Sequence, residues 1–196
     1  MRPYSRKLRF SVRPEFCIFA IFALLMIPLR WVVAWILAAL THEVFHCIAI
    51  LLCGGRVHSA EVGSAGAAIS TGPMSPWKEI LCALSGPLAG ILAVLLFRFF
   101  PRYAICGAFQ TLYNLLPVLP LDGGRALRCF LDIFCTENCV RKIMAWIQWG
   151  TMGVLLFLSA YAAFRMRLGY TPLLFWGILS FRISKIPCKE SHLGVQ

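Results

Sequence analysis

Acidic side chains are scarce in this chain. Asp and Glu number 8 against 19 Lys and Arg, and charged residues of both signs make up only 14% of its 196 positions. A soluble globular domain carries roughly 25% charge, so that class is excluded, and a mean hydropathy of +0.77 points to a membrane protein. Also missing are an internal repeat, a CxxC pair and any polar stretch long enough for a second folded domain. The 9 cysteines, an odd number, show no paired spacing, which argues against a disulfide framework. Cys129, Cys135 and Cys139 fall near one another but lack the knuckle spacing of a metal site, so reduced thiols are the simpler reading.

Long apolar runs are abundant. They fall at 16–29, 31–53, 79–100, 104–121, 143–164 and 168–183, each near the ~20 residues a spanning helix needs. The first has a basic start like a signal peptide, but "MIPLRWVV" offers no small-residue cleavage site, so it is expected to be retained. The segment 54–73, "GGRVHSAEVGSAGAAISTGP", alternates apolar and polar positions around glycines and predicts two short strands and a turn. The expected fold is an all-α polytopic membrane protein of about six transmembrane helices, with a small cytoplasmic β-hairpin between helices 2 and 3, forming a single domain over 1–196.

A strong positive balance in a soluble protein would suggest nucleic acid, but here its distribution decides. With six spans, Arg30, Arg98, Arg102, Arg165 and Arg167 lie on one side, and all the other Lys and Arg lie on the side of the N-terminus. The positive-inside rule then puts both termini in the cytoplasm. Orientation and contact with the lipid bilayer account for the basicity, and no nucleic-acid partner is needed.

Against this apolar background, "THEVFHCIAI" (41–50) carries two histidines and a glutamate within a run long enough to cross a bilayer. A carboxylate at that depth costs on the order of 2.5–3.5 kcal/mol, so a compensating interaction is required. Residues four apart share a helix face, so His42 and His46 can offer two imidazole nitrogens to one ion. Glu43, about 100° round the helix, stands beside them as a base for a water without being a ligand. Two histidines leave a tetrahedral zinc one protein ligand short of the usual three. Glu15, Glu61, Glu79, Asp132, Glu137 and Glu190 lie outside the expected spans, which leaves Asp122. Asp122 closes "YNLLPVLPLDGGRALR" (113–128), where Pro117 and Pro120 prevent a regular helix and Gly123 and Gly124 permit unusual backbone angles. The bland alternative for Asp122 is a turn or capping aspartate. His58, in the proposed hairpin, is a weaker ligand candidate.

"HEVFH", "SGPLAG" (85–90 within 83–90) and "NLLPVLPLDGGR", in that order, resemble the site-2 protease family of intramembrane zinc metalloproteases over roughly residues 31–128. The last motif most resembles the subgroup that includes the stage IV sporulation protease, which processes a precursor sigma factor. The resemblance implies one zinc ion per chain held by His42, His46 and Asp122, Glu43 as catalytic base, and Asn114 and Pro120 lining the substrate-facing stretch. It implies a bacterial cell membrane location and a membrane-embedded or membrane-associated protein substrate, such as a sigma-factor precursor or an anti-sigma factor. The PDZ and CBS domains of some members have no counterpart here, and Phe45 stands where a small residue is common. Two other readings use the same residues: a metal-ion carrier, which has no need of Glu43, and a silent binder of membrane segments. Arg125 and Arg128 are read as anchors at anionic lipid in preference to a site that attracts acidic substrate.

Overall fold

The structure is a computed structural model that describes residues 9–12, 24, 27–55, 57–63, 66–72, 74–164 and 177. It divides into two compact units, Met1–Asn114 and Leu115–Gln196.

In the first unit, β1 (Arg9–Val12) runs parallel to β2 (Val57–Gly63), and β3 (Gly66–Thr71) runs antiparallel to β2 on its other side. Arg9 pairs with Ser59 and Val12 with Val62, while Val57 pairs with Thr71 and Gly63 with Gly66. Three helices complete the unit: α1 (Leu29–Leu52), α2 (Pro76–Leu95) and α3 (Pro101–Asn114). Helix α1 ends in a Schellman turn: Gly54 takes a φ of +76°, its N–H bonds to Leu51 O, and the N–H of Gly55 bonds to Ile50 O. Helix α2 begins with Pro76 at its first position behind Ser75, where a missing N–H costs nothing.

The three helices approach along small residues. On α1 the buried positions are Ala34, Ala38, His42, His46 and Ile50, a seam of period four. The buried positions of the other two are likewise small, Cys82, Ala83, Gly86, Ala89, Gly90 and Ala93 on α2 and Ala104, Cys106 and Gly107 on α3. Without a hydrophobic driving force between helices in lipid, close packing of small side chains and interhelical hydrogen bonds hold such a bundle. Tyr103 Oη donates to Thr41 Oγ1 at 3.0 Å, Gln110 Nε2 to Trp35 O at 3.1 Å and Thr111 Oγ1 to Pro87 O at 3.0 Å. Large side chains such as Leu40, Leu52, Leu81 and Phe99 point outward and exposed, as expected where the surrounding solvent is hydrocarbon.

The second unit contains an irregular stretch over 115–121, then α4 (Asp122–Phe134) and α5 (Glu137–Phe164). A Cβ on Gly123 would overlap Leu115 O, and one on Gly124 would overlap the Val118 carbonyl carbon and lie 2.6 Å from its oxygen. The paired glycines thus let the irregular stretch lie directly on the first turn of α4.

The all-α class with six spans is corrected by these elements. Among the described residues, three helices are long and apolar enough to cross a membrane: Leu29–Leu52, Pro76–Leu95 and Glu137–Phe164. The run at 104–121 is not a span, because α3 stops at Asn114 after 14 residues, about 21 Å at 1.5 Å per residue against a hydrocarbon core of ~30 Å. Pro117 and Pro120 keep the chain beyond Asn114 from continuing as helix. In place of a lone hairpin there is a three-stranded mixed sheet with β2 at its centre, because the basic segment before the first apolar run supplies β1. Glu79 and Glu137, read as lying outside spans, sit in the first turns of two of the long helices. The run at 168–183 lies outside the described residues apart from Gly177, as does that at 16–29 apart from residues 24 and 27–29.

Candidate metal centre

Both histidines of the α1 seam are buried, His42 to 6% and His46 to 7% exposure. Their Nε2 atoms are 3.1 Å apart. Two ligands bound at 2.0–2.1 Å in tetrahedral geometry lie about 3.3 Å from each other, so the pair is spaced as two ligands of a single ion. The other nitrogen of His46, Nδ1, is 2.7 Å from the carbonyl oxygen of Cys82 on α2. Metal-bound histidines characteristically donate their second N–H to such an acceptor.

Glu43 follows His42 on α1 and is partly buried, so its carboxyl is neither sequestered in the seam nor fully turned to the outside. Asn114 is the last residue of α3, half-buried, with Nδ2 3.4 Å from His42 Nε2. That contact is at the long limit of a hydrogen bond.

In the second unit, Asp122 opens α4 and is 8% exposed. A carboxylate in the first turn of a helix is favoured by the positive end of the helix dipole. Asp122 supplies, within this unit, the buried carboxylate that the sequence pairs with the two histidines. Two neutral imidazoles and a carboxylate are the donor set of an open catalytic zinc site. Pro120 is exposed and follows a cis peptide bond from Leu119. His58 lies in β2. No described cysteine is in a disulfide. Arg128 is near Asp132, at 3.7 Å one helical turn on, a surface pair worth little by itself.

Several residues around the histidines were not singled out by sequence for this role. Gly86 comes against both imidazoles: a Cβ there would overlap His46 Nε2 and lie 2.6 Å from His42 Nε2. Ser85 Oγ is 3.3 Å from His46 Nδ1. The available signal was "SGPLAG", which marks a packing face without naming what packs on it. Gln110 and Thr111, both buried and hydrogen-bonded to backbone of neighbouring helices, carried no motif.

No family profile matches the chain, and no curated protein matches it. Among solved structures it is similar to the site-2 protease from Methanocaldococcus jannaschii, with a TM-score of 0.64, 17% sequence identity and 95% of each chain covered. The chain has the fold of that site-2 protease.

Proposed function

We propose that the chain is an intramembrane zinc metalloendopeptidase, with His42, His46 and Asp122 holding one zinc ion and Glu43 as general base. The observation that carries this reading is the 3.1 Å approach of two buried histidine nitrogens on a helix long enough to span a membrane. The fold likeness supports it across nearly the whole chain. When bound, zinc supplies a Lewis acid that polarises the scissile carbonyl and makes a water acidic near pH 7. Glu43 accepts the proton of the attacking water and returns it to the leaving amine. The Asn114 amide donates a hydrogen bond to the carbonyl oxygen as negative charge develops on it. Asn114 and the exposed Pro120 form the substrate-facing stretch.

A transmembrane helix hides its peptide groups in internal hydrogen bonds, so the substrate segment unwinds before cleavage. Membrane-embedded or membrane-associated proteins, including a sigma-factor precursor or an anti-sigma factor, fit this requirement. Three described helices long and apolar enough to cross a membrane fit a multi-pass protein, and this reading places it in the bacterial cell membrane.

The test is zinc content and cleavage of membrane-tethered reporters by the purified protein, wild type against Glu43→Gln. Zinc at one per chain in both, with cleavage lost in the variant by at least about 100-fold, the scale of general-base catalysis, supports the protease. Zinc transport into vesicles that is indifferent to Glu43→Gln would replace it with the carrier.

A further inference from the structure

Helix α2 does more at the histidine pair than pack against it. Because a carbonyl oxygen only accepts, the 2.7 Å contact between His46 Nδ1 and Cys82 O requires the proton on Nδ1. A neutral imidazole protonated there has its lone pair on Nε2, the atom that stands 3.1 Å from His42 Nε2. The Ser85 hydroxyl donates to the same Cys82 oxygen at 2.7 Å, which turns its own oxygen toward His46 Nδ1 at 3.3 Å. Two residues on, Pro87 lies inside the helix. It supplies no N–H to the Ala83 carbonyl, which is left without its usual helical partner at this turn. Between Ser85 and Pro87, Gly86 is blocked from bearing a side chain by the imidazole nitrogens themselves.

We infer that the turn Cys82–Gly86 is a positioning element for the metal centre. Ser85, with the Cys82 carbonyl, holds His46 in the tautomer that presents Nε2 to a metal, and Gly86 keeps the space before both ε nitrogens clear. This rests on the reading of His42 and His46 as metal ligands.

The full chain, purified in detergent, is tested as wild type, Ser85→Ala, Ser85→Thr and Gly86→Ala. Zinc affinity is read by competition with a chromophoric chelator, cobalt binding by its visible absorption, and the fold by thermal unfolding of the metal-free protein. Ser85→Ala should weaken zinc about tenfold, and Gly86→Ala by about 100-fold or more, spanning the usual effect of outer-sphere changes. Ser85→Thr, which keeps the hydroxyl, should restore near-wild-type affinity, and metal-free Ser85→Ala should melt like the wild type. Wild-type zinc affinity and an unchanged cobalt spectrum in Ser85→Ala would overturn the inference, and that pair decides the matter even where Gly86→Ala does not fold. A wild type that binds no zinc would instead remove the metalloprotease reading, and this inference with it.

Discussion

The imidazoles of His42 and His46 meet edge to face, with ring centroids 4.8 Å apart and planes inclined by 83°. This brings two ε nitrogens together within one turn of α1. Neither ring has another route to the same point, so each is needed. We predict that His42→Ala and His46→Ala each lower bound zinc below one per chain, measured by metal analysis of protein that retains its helical circular dichroism. Full zinc in either variant would mean that the pair is a hydrogen-bonded seam contact and no more.

Gly90 offers a test of the packing that holds the seam together. A Cβ there would overlap Thr111 Oγ1 and stand 2.5 Å from the Gly107 carbonyl oxygen. Backbone on one side and a hydrogen-bonded hydroxyl on the other leave little room to yield. Gly90→Ala should cost about 1–3 kcal/mol, as overpacking does. At Gly150 of α5, by contrast, an added methyl would meet nothing within 4 Å, and Gly150→Ala should stabilise by up to about 1 kcal/mol through helix propensity. Unfolding in detergent and denaturant compares the two, and similar losses for both would refute the account of Gly90.

The hydrogen bond from Thr111 to the Pro87 carbonyl ties α3 to the middle of α2. Thr111→Val keeps the shape and removes the donor. Buried interhelical bonds of this kind in membranes are worth about 0.6–1.7 kcal/mol, and a loss in that range is expected from the same unfolding measurement.

Cys135 lies between α4 and α5, outside the long apolar helices. Burial, the nearby charge of Cys139 and a hydrogen bond with that residue push its thiol up from the ordinary range. A raised thiol holds less thiolate at neutral pH and is the slower nucleophile. Iodoacetamide should therefore label Cys135 more slowly than an unstructured cysteine peptide, with the difference closing as pH rises, and Cys139→Ala should speed the reaction. Labelling followed by peptide mass spectrometry reads both effects.

The histidine pair was legible in sequence because a single helix builds it: one period of 3.6 residues brings His42 under His46 with no tertiary information. The turn that orients His46 was not, because Ser85 and Gly86 acquire their meaning only from the helix that crosses them. Pro117 and Pro120 correctly announced irregular backbone. Gly123 and Gly124 did not free the chain from helix; they stand inside α4 so that the Leu115 and Val118 backbone can lie against it. Six spans were overcounted because a hydropathy window sums apolar residues across a proline break, and so joined α3 to the stretch beyond it. Strand β1 left no local signal because its partner, β2, is remote in the chain and a four-residue strand is too short to show alternation.

The short length of α3 has a consequence for the lipid around it. Fourteen residues reach about two-thirds of the way through a hydrocarbon layer of ~30 Å, and the deficit is one of residue count that no exchange of side chains repairs. Where a helix is shorter than the layer around it, the bilayer adjusts by thinning locally. For the protease proposed above, shorter lipids relieve the shortfall and longer ones enlarge it, so turnover in vesicles of graded thickness should rise as the bilayer narrows.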